Sequence, residues 1–382
     1  MALSTAVRTW REAEPEVARF LDDCPASFAQ QTPGWARVIE GIGPDRSAFV
    51  LCRDGARLVG VLPAHLCDGS LGAILVSAAH AGALGGVAVA SDAEREPVYA
   101  ALLAAFCAHA RERGAALATV YTNPLWPDDE LCERFLEPHY VLDNACQVLD
   151  LARGVADDGS FPLASDNLKR NVKRAESGAL TVAREANEAS VRGWYRIHVE
   201  RHGEIGARPL PEAMFLGALE HLAPAGKASF FLVRLRERPD ELVAGGFYVH
   251  HAGTIDALMP AFRSEHAALA PNFALAAHTL RWARAQGYRH YNWQGSPPDG
   301  GVRRFKLQWG SEDRAYRLCT RVTGDATRFT NASADQLKRD YAWHFALPFD
   351  ALGHAPGAAP IRSRRESAWK VAAEPDEERA SS

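Results

Sequence analysis

The chain has 382 residues, 47% hydrophobic and 24% charged, the balance of a folded protein long enough for two or three cores rather than a disordered or fibrous one. A formal charge of -4 and a pI near 6.4 exclude a general polycation that coats nucleic acid or membrane, and leave only local basic patches for such contacts. Cysteines at 24, 52, 67, 107, 132, 146 and 319 form no CxxC and no Cys/His pair at ligand spacing, so buried thiols are expected in a reducing compartment, with no metal.

The opening stretch MALSTAVRTWREAEPEVARF meets charge before any signal-like apolar run, and no later segment approaches the roughly 20 apolar residues of a membrane span. A cytoplasmic location is the expectation. Ser47 to Arg53 reads as a strand, closed by the Asp54-Gly55 turn onto a second strand from Arg57 to Pro63. A further turn at Asp68-Gly69 leads to an apolar run ending near Ser77. Helical spacing predicts a helix from Glu94 to Arg113, with Val98, Leu102, Leu103, Phe106 and Ala110 on one side and Gly114 as its stop. Ala116 to Thr122 follows as a buried strand.

The same order returns later. Strands are predicted over Ala228–Leu235, Leu242–His250 and Thr254–Met259, with a turn at Gly253. A helix from about Phe273 to Gln286, N-capped by Asn272 and stopped by Gly287, leads into a strand from Tyr288 to Trp293. Aligned by eye, Gly69 falls on Gly253 and Gly114 on Gly287. So long a period points to two copies of one α/β unit, although hairpin, helix and strand also recur in unrelated mixed folds. Between the copies, Pro162–Ser177 and Asn187–His202 read as helices, which places the division at a linker-like stretch: 1–155, then 156–345, with 346–382 as a loose tail ending in PDEERASS.

Two basic stretches stand out against the mildly acidic whole. Lys169, Arg170, Lys173 and Arg174 place four cations in six residues; on a helix the lysines share one face and the arginines an adjacent one, a strip that suits a polyanion as well as solvent. GVRRFKLQWG, from Gly301 to Gly310, carries Arg303, Arg304 and Lys306, and helical spacing puts Val302, Phe305 and Trp309 on an inward side. It follows a strand running into Asn292-Trp293-Gln294-Gly295 and the loop Ser296-Pro297-Pro298-Asp299-Gly300-Gly301, whose glycines let a backbone approach a ligand. A cation after such a loop suits a phosphate or a developing oxyanion. GxSxG, HExxH and GxxxxGK[ST] are all absent, and the adjacent His250 and His251 point to opposite faces of a strand, a poor joint ligand.

In this order the motifs LKRNVKRAESG, PNFALAAHTLRWARAQG, YNWQGS and GVRRFKLQWG resemble those of the FemABX family, which moves an amino acid from aminoacyl-tRNA to an amine. Pro33-Gly34-Trp35, the hairpin RDGARLVGVLPAHL and Gly85-Gly86 extend the likeness over about residues 28 to 320. The resemblance implies an α/β (α+β) fold of two tandem GNAT-like domains, direct attack of the acceptor amine on the aminoacyl ester, and no cofactor beyond the aminoacyl-tRNA donor. It gives Lys306 the negative charge of the tetrahedral intermediate or the tRNA 3′ end, with Phe305 beside it, and sets Lys169, Arg170, Lys173 and Arg174 on tRNA phosphates. Trp35, Arg37, Tyr195, Arg201, Asn272, Gln294 and Arg304 are candidates for holding the amine-bearing acceptor or the donor.

Two departures separate the chain from cell-wall members. Trp35 is followed by Arg37 where they carry a phosphate-holding lysine, and Leu180–Lys227 leaves no room for a long helical hairpin. A small amine or peptide is thus as fitting an acceptor as a peptidoglycan precursor. An acyl-CoA-dependent N-acyltransferase and a non-catalytic GNAT-fold binding module are the alternatives; the first lacks a Q/RxxGxG/A loop to bring backbone N–H groups to the CoA pyrophosphate.

Overall fold

Alternation explains the strand next to one edge of the sheet. In ASFFLVRL, Phe230 and Leu232 enter one core while Phe231 and Val233 enter another, so a strand buried on both faces reads as a continuous apolar run. The computed structural model describes residues 3–43, 46–79, 84–341 and 343–364. Its strands are β1 (Leu3–Thr9), β2 (Arg46–Asp54), β3 (Arg57–Gly69), β4 (Gly72–Val76), β5 (Ala88–Val89), β6 (Leu117–Tyr121), β7 (Tyr140–Asp150), β8 (Leu180–Glu185), β9 (Ala228–Leu235), β10 (Leu242–His251), β11 (Thr254–Phe262), β12 (His290–Asn292), β13 (Glu312–Val322) and β14 (Ile361–Arg364).

All join one mixed sheet in the order β1-β2-β3-β4-β6-β13-β7-β12-β11-β10-β9-β8, with β5 beside β3 and β14 beside β7. The two ends mirror each other. Each has an antiparallel run of four strands, β1 to β4 or β8 to β11, whose last member pairs in parallel with a strand reached through a long helix, Arg95–Glu112 or Pro271–Ala285. Those helices stop at Gly114 and Gly287, both at positive φ (69° and 81°), and the β10–β11 turn uses positive φ at Ala252 and Gly253. Tandem copies are therefore present.

The last strand of each copy crosses to the other. β7 ends the first copy but pairs with β12 of the second, while β13 ends the second and pairs with β6 of the first; β7 and β13 also pair with each other along most of their length. Residues 346–364, expected in a loose tail, instead include β14, which lies parallel to β7, and an apolar cluster in which Leu347 and Ala351 pack with Tyr341 and Leu337. The PDEERASS end lies outside the described residues.

Several local expectations shift. The helix predicted over Pro162–Ser177 is Asp166–Ala175, capped by Ser165, and Asn187 caps the helix Glu188–Glu204. Asn272 is not a cap. Ala270 holds the N-cap position in the left-handed region at φ 56°, and Pro271 is the first helical residue. All seven cysteines are buried, as expected.

His250 and His251 do face apart: His250 Nδ1 lies 3.0 Å from the Gly226 carbonyl, and His251 Nε2 lies 3.1 Å from the Leu21 carbonyl in the first copy. Lys227 bridges 3.1 Å to His251 Nδ1 and 2.7 Å to Asp22 Oδ1, tying the copies together. Burial pushes both rings down to about 4. A histidine whose folded value is depressed binds fewer protons than in the unfolded chain, so its stabilising effect is full above the unfolded value near 6.5 and is lost as pH falls toward 4. At pH 5 each ring is expected to cost about 2 kcal/mol relative to pH 7. Urea midpoints should fall between pH 7 and pH 5, and His251→Gln, which keeps a donor for Leu21, should flatten that fall; an unchanged slope in the variant would contradict it.

Candidate functional site

The cationic decamer folds as the helix Gly301–Leu307, and Lys306 turns inward: it is only 6% exposed. A buried ammonium must be met by acceptors. Its Nζ donates to the carbonyls of Gln294 at 2.7 Å and Gly295 at 3.2 Å, and to Gln147 Oε1 at 3.4 Å. Gln147 belongs to the exchanged strand β7. Its Oε1 also accepts from Ser296 Oγ at 2.6 Å, and its Nε2 donates to Asp313 Oδ1 at 2.8 Å in β13. Asp313 is ion-paired with Arg303, and that guanidinium holds its carboxyl below the usual carboxylate range.

Gln294 sits at φ 62°, where an L side chain needs support. Its Nε2 donates 2.9 Å to Asp256 Oδ1, and its N–H donates 3.0 Å to Asn292 Oδ1; Asn292 Nδ2 donates 2.6 Å to the same Asp256 oxygen. Asp256 is fully buried, and burial pushes its carboxyl up to about 7 against the pull of Asn292, Gln30 and Gln294.

Behind Lys306 the aromatic residues of the decamer pack inward. Phe305 meets Phe273 edge-on at 5.1 Å between ring centres, and Trp309, fully buried, meets Phe161 at 5.0 Å. Val302 does not join them. It is 57% exposed, because a helix of two turns ends before its first turn reaches the core. Phe161, with Pro162 and Val172, forms the apolar side of a cleft of about 560 Å³ whose other lining includes Lys169, Lys173 and Arg281. Arg170 and Arg174 turn toward Asn167 and Asn171 on the same helix, at 3.3 and 3.0 Å. The basic helix thus divides its cations as the periodicity predicts: lysines to the cleft, arginines beside it.

The remaining candidates are dispersed. Trp35, expected to hold substrate, is 1% exposed and packs with Trp194 and Phe215 where the helix Pro33–Glu40 of the first copy meets the core of the second; it is a core residue. Arg37 lies on the solvent side of that helix. Tyr195 packs 5.9 Å from His198 and Phe215, and burial raises its hydroxyl above its ordinary value. Arg201 pairs with Glu204 at 2.6 Å and lines a separate cleft with Glu200, Phe262 and Arg263. Arg304 donates 3.0 Å to the Asp299 carbonyl within the preceding loop, and Asn272 stands in the first turn of its helix. The structure therefore gathers Lys306, Phe305 and Gln294, joins them to the Lys169–Lys173 cleft through Trp309 and Phe161, and leaves Trp35, Arg37, Tyr195 and Arg201 elsewhere.

Sequence reasoning missed Gln147, Asp256 and Asp313. Only Asp256 carried a local signal, an acid within the apolar run TIDALM.

Residues 164–307 match the family model described as an acetyltransferase (GNAT) domain. FemX shares the fold over 82% of this chain and 96% of its own, with a TM-score of 0.65 at 13% identity. The chain is a tandem GNAT-fold protein. Within that fold it is also similar to L-PGS from Bacillus licheniformis (TM-score 0.53, 16% identity, 82% of this chain and 95% of that one). A tandem GNAT protein from the clavulanic acid biosynthesis pathway matches at TM-score 0.52 and 15% identity, over 85% and 99% of the two chains. No curated protein matches by sequence. In this tandem GNAT protein the matched acyltransferase-type domain is the second copy, which carries Lys306 and the basic helix. Among the described residues no helix is long and apolar enough to cross a membrane.

Gln147→Leu should remove one acceptor from Lys306 and Ser296 and one donor from Asp313. The expected cost is about 2–4 kcal/mol, the range for stranding buried polar and charged partners, read from the denaturant midpoint. An unchanged midpoint would show that these bonds contribute little.

Proposed function

We propose that the protein is an N-acyltransferase that moves an aminoacyl group from aminoacyl-tRNA to the amine of a small molecule, peptide or cell-wall precursor. The observation that carries this reading is the Lys306 ammonium, buried beside the end of β12 with the Gln294 carbonyl at 2.7 Å and Gln147 Oε1 at 3.4 Å. The acceptor amine attacks the ester carbonyl carbon and a C–N bond forms. The carbonyl oxygen becomes an oxyanion, to which Lys306 donates in exchange for the Gln147 contact. Collapse breaks the C–O bond to the ribose, whose hydroxyl leaves with the proton that the amine loses. A preplaced donor in a water-poor site contributes about 3–4 kcal/mol to such a step.

Exposed Lys169 and Lys173 support a polyanionic donor, because a free side-chain ammonium beside an apolar cleft suits phosphates next to a base or ribose. The helix Pro271–Ala285 opens with a proline, which has no N–H to offer, and this favours tRNA over a CoA pyrophosphate at that helix.

With charged tRNA and a panel of amines, product should form and be abolished by prior RNase treatment. Product from acyl-CoA without RNA would establish the acyl-CoA alternative, and binding of tRNA with no turnover of either donor would establish a binding module. Lys306→Ala is expected to lower the transfer rate by 10²–10³-fold. A rate within threefold of wild type would return the lysine to a structural role. Lys169→Glu/Lys173→Glu should weaken tRNA binding and reduce the steepness of its salt dependence by about two ion equivalents, measured from 50 to 200 mM salt; an unchanged slope would take the cleft out of the tRNA path.

A further inference from the structure

β11 and β12 run in parallel for three residue pairs only, Thr254 with His290, Ile255 with Tyr291 and Asp256 with Asn292. β12 then ends while β11 continues to Phe262, so Asp256 and Asn292 stand where the strands part. The first copy forks in the same way after Ile74–Leu117, Leu75–Ala118 and Val76–Thr119. There the last pair is Val76 with Thr119, so the fork itself does not require a carboxylate. The acid belongs to the copy that carries Lys306.

Its contacts lead to that lysine. Asp256 Oδ1 receives Gln294 Nε2 at 2.9 Å and Asn292 Nδ2 at 2.6 Å, and Asn292 Oδ1 holds the Gln294 N–H at 3.0 Å. Gln294 is thereby fixed at both ends while its backbone stays at φ 62°. The carbonyl so aimed is the one that takes Lys306 Nζ at 2.7 Å. The carboxyl and the Gln30 amide that pulls on it from the first copy are both buried. Such groups are costly to hold inside a protein. A valine, as in the first copy, would avoid the cost.

We infer that Asp256 is a positioning residue for acyl transfer: through Gln294 it sets where the Lys306 ammonium stands at the fork. The inference rests on the reading that Lys306 meets the reacting carbonyl. Asp256 itself touches no reacting atom, and its effect passes through one side-chain amide and one backbone carbonyl.

The test is single-turnover transfer from charged tRNA to an accepted amine, with donor KM measured alongside. Asp256→Val, which installs the first copy's residue, should slow transfer at least 30-fold with donor KM changed less than threefold. Asp256→Asn keeps an acceptor oxygen for Gln294 and should recover to within about fivefold of wild type. Asp256→Val combined with Lys306→Ala should be no slower than Lys306→Ala alone. Wild-type transfer by Asp256→Val, or Asp256→Asn as slow as Asp256→Val, would overturn the inference. Should Asp256→Val fail to fold, Gln294→Ala removes the same link and keeps the carbonyl; the same 30-fold loss is expected, and wild-type transfer would overturn the proposal. If Lys306→Ala transfers normally, the reading of Lys306 fails; if Lys306→Ala is slow and Asp256→Val is not, only the positioning role does.

Discussion

The exchange of β7 and β13 is the constraint on which the site depends. Because β7 leaves the first copy to pair with β12, Gln147 arrives beside the end of β12 and gives Lys306 and Ser296 a common acceptor. Because β13 runs back along β7, Asp313 reaches both Gln147 and Arg303. A second copy folded alone would have Lys306, the Gln294 carbonyl, Arg303 and Asp313, but not Gln147. The long β7–β13 pairing, with backbone bonds along nine residues from Glu312 to Thr320, makes the two copies one folding unit around the lysine.

The copies have diverged in charge where they agree in backbone. The helix Asp129–Leu136 follows β6 as Gly301–Leu307 follows β12, but it carries Asp129, Glu130 and Glu133 where the second copy carries Arg303, Arg304 and Lys306. Those acids are spent on structure: Glu133 pairs with Arg317 of β13 at 2.8 Å and with Arg362 of β14. The first copy's counterpart to the Lys306 helix is therefore tied down by the exchanged strand and by the returning chain. The proposed chemistry belongs to one copy, and the other supplies support.

Much of this was legible where the information is local. Turn glycines and helical periods locate the β2–β3 and β10–β11 hairpins and the two long helices within a few residues, and the repeat follows from their order. The exchange was not legible, because which strand pairs with which is decided by contacts far apart in the chain. β13, EDRAYRLCTRV, carries charged residues on both faces at its start, which hides the alternation of a strand. The burial of Trp35 was not legible for the same reason: it comes from helices of the other copy. Lys306 stands in a contiguous motif, whereas Gln147 and Asp256 are polar residues whose meaning lies in distant partners. Asn272 failed as a cap because Pro271 already starts the helix.

The central claim is that Lys306 exchanges its long Gln147 contact for the acyl oxygen while keeping the Gln294 carbonyl. A crystal structure with an amide-linked, non-hydrolysable aminoacyl-tRNA 3′-end analogue tests it most directly. The account predicts the acyl oxygen within hydrogen-bond distance of Lys306 Nζ, the Gln294 contact intact and the Gln147 contact lengthened. An analogue bound with its acyl group away from the end of β12, and Lys306 unmoved from the Gln294, Gly295 and Gln147 oxygens, would contradict it.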